Sequence, residues 1–231
     1  MTPELSILFI TALTMGMIHA AAGPDHYVPF IALAEAGKWR MRKTILVTLL
    51  SGVGHIVSSI VIALLGVAAG IGISKIEALE SGRGHIAAWL LIGFGLAYGA
   101  WGLVWALRPR AEEHAHEHAH GDGPPHVHWH GHRGPAKHST SAWVMFIIFV
   151  FGPCEPMIPL IMYPAAKGNY LELAVITAVF SLATIGTMLA IVTAGVLGVA
   201  RLRLAGLERY GHAIAGLSLV LCGGAMEFLG L

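Results

Sequence analysis

Long apolar stretches alternate with short polar connections along this chain. Six stretches stand out, at roughly 5–36, 44–73, 85–107, 141–166, 170–200 and 211–230. Each is long enough to cross a hydrocarbon layer as a helix, which takes about 20 residues. The first is too long for one straight span, since at about 1.5 Å per residue it would reach roughly 48 Å. Gly23-Pro24 falls near its middle. Proline lacks the backbone donor and clashes with the preceding turn, so the helix is expected to break there. The fourth stretch holds Pro153, Pro156, Pro159 and Pro164 and is expected to break as well. The chain opens Met1-Thr2-Pro3-Glu4, with an acid and no Lys or Arg. A signal peptide needs a positive start, so the first stretch reads as a helix of the mature protein.

The longest polar segment, 108–140, divides the chain into three parts: a first three-helix unit over 1–107, the segment itself, and a second three-helix unit over 141–231. It contains His114, His116, His118, His120, His126, His128, His130, His132 and His138 among Gly, Pro, Ala and Glu. With so little apolar content it is expected to form a mobile loop.

Composition narrows the class. The chain is 56% hydrophobic and 12% charged, against about a quarter charged in a soluble domain. Its partner is therefore membrane lipid. A formal charge of +1 leaves no basic excess for nucleic acid. Cys154 and Cys222 lie far apart in apolar runs, without CxxC spacing or a disulfide framework. Lys and Arg favour the cytoplasmic side of a membrane protein. Lys38, Arg40, Arg42 and Lys43, then Arg108, Arg110, Arg133 and Lys137, then Arg201, Arg203 and Arg209 fall in connections on one side. Lys75, Arg83 and Lys167 fall on the other. This bias predicts a multi-pass cell (inner) membrane protein with both termini outside and the His-rich loop cytoplasmic.

The two halves echo each other. Gly23-Pro24 aligns with Gly152-Pro153 at an offset of 129, and a further proline follows in each half, Pro29 and Pro159. At the same offset His55 lands on Thr184 and Ser58 on Thr187. A repeat of three spans is odd, so the halves would be inverted. The expected fold is thus all-α, six transmembrane helices as a 3+3 inverted repeat with helices 1 and 4 broken. Gly23, Pro24, Gly152 and Pro153 are its expected hinges. Such breaks in secondary transporters mark substrate sites.

Ionisable groups at membrane depth are costly, so they read first as functional. His19, Asp25 and His26 lie in or beside the first break, His55 in the second stretch, and Cys154 and Glu155 in the second break. Imidazole, carboxylate and thiolate together suit a late first-row metal ion. Taken one at a time, each has a plainer role. His19 could be a packed core histidine, Asp25 or Glu155 a cap on the following half-helix, and Cys154 a small packing residue. His85 and His212 read as interfacial, at helix starts on the outer side. The alternating histidines of the loop bind many late metals and discriminate weakly.

His19-Ala20-Ala21-Ala22-Gly23-Pro24-Asp25-His26, a Gly54-His55 pair in the second stretch, six spans and a His-rich loop resemble the nickel/cobalt transporter and exporter family, including its urease-accessory-like transmembrane members. The resemblance implies Ni²⁺/Co²⁺ translocation through the His/Asp motif, with efflux as the expected direction. Loop histidines would capture the ion, with Zn²⁺ or Fe²⁺ as further cargoes and no prosthetic group. No GxxxxGK[ST] motif is present, so a carrier rather than an enzyme is expected, with homo-oligomers allowed. Two other functions share the layout. Gly152-Pro153-Cys154-Glu155-Pro156 also resembles the membrane domain of thiol–disulfide electron transporters, although Asp25 stands where the partner cysteine would be. Ranked beside it is a small-anion (sulfite-type) exporter, which would need Arg or Lys at midplane. A metal sensor or delivery partner is a further possibility.

Overall fold

A computed structural model describes residues 3–108, 116–118, 126–128, 140–201 and 208–230. Its helices are α1 (Pro3–Ala22), α2 (Val28–Ala36), α3 (Met41–Ala68), α4 (Ile73–Leu107), α5 (Thr140–Phe151), α6 (Met157–Ala166), α7 (Tyr170–Arg201) and α8 (Gly211–Leu229), with single 3-10 turns at Pro24–His26 and Glu208–Tyr210. Within the connection from α4 to α5, the three-residue strands β1 (His116–His118) and β2 (His126–His128) pair antiparallel, His116 opposite His128. Five helices among the described residues are long and apolar enough to cross a membrane. Apart from that pair of three-residue strands the described residues are built of helices, and the chain is a multi-pass membrane protein.

The helices are inverted relative to those of a soluble bundle. Along α3 the buried positions are Thr44, Thr48, Ser51, Gly52, His55, Ile56, Ser59, Ala63 and Gly66. Leu46, Leu50, Val53, Val57, Val61 and Leu65 point outward on the same helix. The small and polar stripe faces the protein because lipid solvates leucine as well as another leucine does, so close packing and hydrogen bonding have to join the helices.

The observed elements depart from the expected stretches in one place, the third stretch. The fourth stretch breaks as expected, into α5, of 12 residues, and α6, of 10, each shorter than a membrane crossing. Pro153 and Pro156 sit between them and preclude a continuous hydrogen-bond ladder. The third stretch begins at Ile73, twelve residues before its apolar part. Of the charges in that polar first section, Glu80 and Arg83 turn inward to the partners described below, while Lys75 and Glu77 stay exposed.

α4 and α8 pack antiparallel along most of their length. His85 Nδ1 meets Glu227 Oε2 at 2.9 Å near one end, and Tyr98 Oη meets His212 Nδ1 at 2.7 Å near the other. His85 and His212 were expected together on the outer side, but the structure places them toward opposite ends of this pair. α1 packs on α7, α3 on α5 and α6, and α2 lies against α7 and α8.

Candidate functional site

The first break forms where α1 stops at Ala22. Gly23 N–H still donates to His19 O at 3.1 Å, Pro24 has no N–H to offer, and the chain closes one 3-10 turn before α2 starts at Val28. A side chain at Gly23 would place its Cβ 2.6 Å from Asp25 Oδ1 and 2.7 Å from His26 Nδ1. Glycine is thus what lets Asp25 and His26 fold back under the end of α1. The second break, at Gly152–Pro156, separates α5 from α6 and leaves Cys154 fully buried.

Four of the residues singled out in the sequence converge from three segments. The His19 and His26 ring centroids are 4.5 Å apart, His26 and His55 are 5.3 Å apart, and His19 and His55 are 6.1 Å apart. One coordinating atom from each of the three imidazoles lies within 4.8 Å of the others, close enough to hold a metal ion after small side-chain shifts. Asp25 Oδ1 accepts from His26 Nδ1 at 3.0 Å, and Phe149 O accepts from His55 Nδ1 at 3.3 Å. Phe149 and Phe180 wall the cluster with their rings. A cavity of about 10 Å³, roughly one water molecule in size, reaches Asp25 between Pro29, Leu91, Met145, Phe149 and Met226. Cys154 Sγ lies 3.7 Å from His19 Nε2, which connects the two breaks through a thiol–imidazole contact.

Glu155 does not join this group. It is exposed, because the tight turn after Cys154 carries the next side chain to the other face. Of the loop histidines, His114, His120, His130, His132 and His138 lie outside the described residues. His116 and His118 lie in β1, and His126 and His128 in β2.

The sequence pointed to neither of two residues that hold the second break, Glu80 and Arg83. Glu80, expected in no role, is fully buried on α4 and pairs with Arg83. Glu80 Oε2 accepts from Ser59 Oγ at 3.0 Å and from Cys154 N–H at 3.1 Å. Arg83 Nη2 donates to Ser58 Oγ at 2.8 Å, Val150 O at 2.8 Å and Gly152 O at 3.4 Å. The guanidinium thus binds the carbonyls freed at the end of α5, while the carboxylate accepts from the amide of Cys154. Arg83 was read as a residue of a connection, yet it lies in α4 and only 12% of its side chain is exposed. It bears on the anion-exporter alternative too, since all its named donors are spent on protein acceptors. The available signal was Glu80-x-x-Arg83 at helical i,i+3 spacing opposite Ser58-Ser59.

Residues 7–225 match the family described as cytochrome c biogenesis protein transmembrane region. No curated protein and no solved structure matches the chain. The family match overturns the resemblance to nickel/cobalt transporters and, with it, the expectation of Ni²⁺/Co²⁺ efflux. Histidines and an aspartate beside a proline break look alike whether they carry an ion or neighbour a thiol, so that motif did not discriminate. The match favours the thiol–disulfide alternative instead.

Proposed function

The chain belongs to the cytochrome c biogenesis protein transmembrane region family, and on that premise we propose that it conducts thiol–disulfide exchange within the membrane, with Cys154 as its reactive sulfur. The observation that carries this reading is the position of Cys154, buried in a proline break with a histidine from the other break 3.7 Å from its sulfur. A thiolate is the nucleophile in such exchange. His19 is placed to take the thiol proton and return it to a leaving sulfur.

The chain's own second cysteine does not serve. Cys222 lies on α8 in a packing cluster with Leu33, Leu91 and Met145, whereas Cys154 packs with Met157, Ile161 and Phe180, and both thiols are free. Cys154 therefore works as a single thiol between two external partners. Its thiolate attacks a partner's disulfide, forming a mixed disulfide and releasing one partner thiolate, which takes the proton from His19. A thiolate of a reduced dithiol partner then attacks the Cys154 sulfur and releases the first partner fully reduced. The second thiolate of the donor closes its own disulfide and frees Cys154. Two electrons pass from dithiol to disulfide, and Cys154 ends as it began.

Cys154 is closed off in this conformation, so exchange requires a break to open. The packing supports reading the helices as a 3+3 inverted repeat that supplies such an opening. α1 and α2, with their break, lie on α7 as α5 and α6, with theirs, lie on α3, and α4 and α8 pair with each other. In this reading the protein is a carrier with both termini outside and the 108–140 segment cytoplasmic. A cysteine replacing Asp122 should react with a membrane-impermeant maleimide in inside-out vesicles and not in intact cells; labelling of intact cells overturns the orientation.

The functional test uses proteoliposomes with a dithiol inside and a disulfide outside. Cys154→Ser should abolish electron transfer, and Cys222→Ser should leave the rate within about twofold of wild type, the ordinary effect of a change that alters ΔG‡ by less than about 0.5 kcal/mol. Transfer at the wild-type rate by Cys154→Ser overturns the proposal.

A further inference from the structure

Two atoms of the cluster have no role in thiol exchange: Nε2 of His26 and Nε2 of His55. The two side chains are 2% and 1% exposed, and both nitrogens are buried without a hydrogen-bond partner among the described residues. Their protonation follows from their other ring nitrogens. The Asp25 carboxylate and Phe149 O accept, so Nδ1 of each ring carries the hydrogen, and in the neutral imidazole each Nε2 presents a bare lone pair. Native interiors rarely leave such lone pairs unused. A backbone carbonyl or carboxylate on one imidazole nitrogen, with the other nitrogen bare, is the outer-shell arrangement that orients histidines toward a metal. His19 brings a third ring to the same point, and the three can each place a coordinating atom within 4.8 Å of the others.

We infer that His19, His26 and His55 bind one resident transition-metal ion of the monovalent copper class. Imidazole nitrogens suit copper, zinc, iron and nickel alike, so the ligand type alone does not choose. Charge does. The carboxylate bonded to the cluster is Asp25, while Glu80 is already paired with Arg83. Three neutral imidazoles, one carboxylate and one monovalent ion sum to zero. A divalent ion would leave a positive charge uncompensated in a low-dielectric interior, which is strongly unfavourable. Cys154 Sγ, 3.7 Å from His19 Nε2, adds a soft atom beside the site, which again favours a soft ion. His19 has one lone pair, so it serves either the ion or the Cys154 proton at a given moment, while the His26 and His55 lone pairs hold the ion whether or not Cys154 turns over.

The test uses the full-length protein in detergent, kept anaerobic and reduced, and titrated with Cu(I) against a chromophoric Cu(I) chelator. Loop histidines contribute equally to every variant and cancel in the comparison. Wild type should retain one ion per chain more than His26→Ala or His55→Ala, and His85→Ala should match wild type. Asp25→Asn nearly keeps shape and so guards against loss by misfolding; it should weaken binding by about 10–100-fold, as outer-shell changes do. Cys154→Ser keeps all three imidazoles and should still bind, so the copper site and the thiol chemistry fail separately. Equal copper content in wild type, His26→Ala and His55→Ala overturns the site. A one-ion difference that appears with Zn²⁺ and not with Cu(I) overturns the monovalent assignment.

Discussion

Glu80→Ala is expected to destabilise the protein by about 3–5 kcal/mol, the usual cost of removing one partner from a buried ion pair. The substitution leaves the Arg83 guanidinium largely enclosed with its counter-charge gone. It also strips Ser59 Oγ and the Cys154 amide of their acceptor. Arg83→Ala should cost a similar amount, because it leaves Glu80 charged and fully buried and releases Val150 O and Gly152 O from their donor. Unfolding in mixed detergent micelles, followed by circular dichroism, measures both. The pair Glu80→Leu with Arg83→Met removes both charges at once and should recover part of the loss, since the unpaired charge rather than the missing attraction dominates it. A Glu80→Ala protein within about 0.5 kcal/mol of wild type, the range of ordinary surface changes, would show that this network carries no weight. The consequence reaches the thiol, because Glu80 holds Cys154 by its amide: Glu80→Ala should slow thiol exchange even in the fraction that remains folded.

The same pair marks where the sequence was silent. The breaks at Gly23-Pro24 and Gly152-Pro153 could be placed from the chain alone, because a missing N–H is a covalent property that no environment restores. His19, Asp25, His26 and His55 stood out for a similar reason: an ionisable group in a run of Leu, Ile and Ala has few bland explanations. Glu80 and Arg83 gave the opposite impression. Residues 73–84 contain Lys75, Glu77, Glu80 and Arg83 and read as a connection, since only folding sets Glu80 and Arg83 against Ser58, Ser59 and the α5–α6 break. Glu155 misled by adjacency. It shares the break with Cys154, but which of two consecutive residues in a tight turn faces inward is set by backbone torsions and not by residue type. Chemistry was the hardest to read, because imidazoles beside a carboxylate suit a cargo ion, a resident ion or a thiol's proton equally well. The single cysteine in place of the expected pair put the thiol reading below metal transport, and only the match across residues 7–225 reversed that order.

Gly216→Ala is expected to cost about 1–3 kcal/mol, the range for overpacking a filled interior, and Gly216→Leu should separate α4 from α8 altogether. A Cβ on Gly216 would land on the Cα and N of Gly99 and lie 2.6 Å from Gly95 O. These are backbone atoms, so no side chain can rotate away and the helices themselves have to part. In the bilayer that approach is the source of the attraction, because helices there gain little from burying apolar surface and rely on close packing. Alanine is intrinsically the better helix former by about 0.8–1.0 kcal/mol, so any loss at this position comes from the contact rather than the helix. Gly224, on the same helix, has nothing within 4 Å of an added Cβ. Gly224→Ala should therefore be neutral or stabilising by up to about 1 kcal/mol, and the contrast between the two alanines isolates the packing effect. Equal melting temperatures for the Gly216→Ala and Gly224→Ala proteins would mean that α4 and α8 do not meet as closely as described. Their separation would also loosen α2, which lies against α8 and holds the far side of the first break. Gly216→Ala should thus weaken binding at His26 without touching any residue of the cluster.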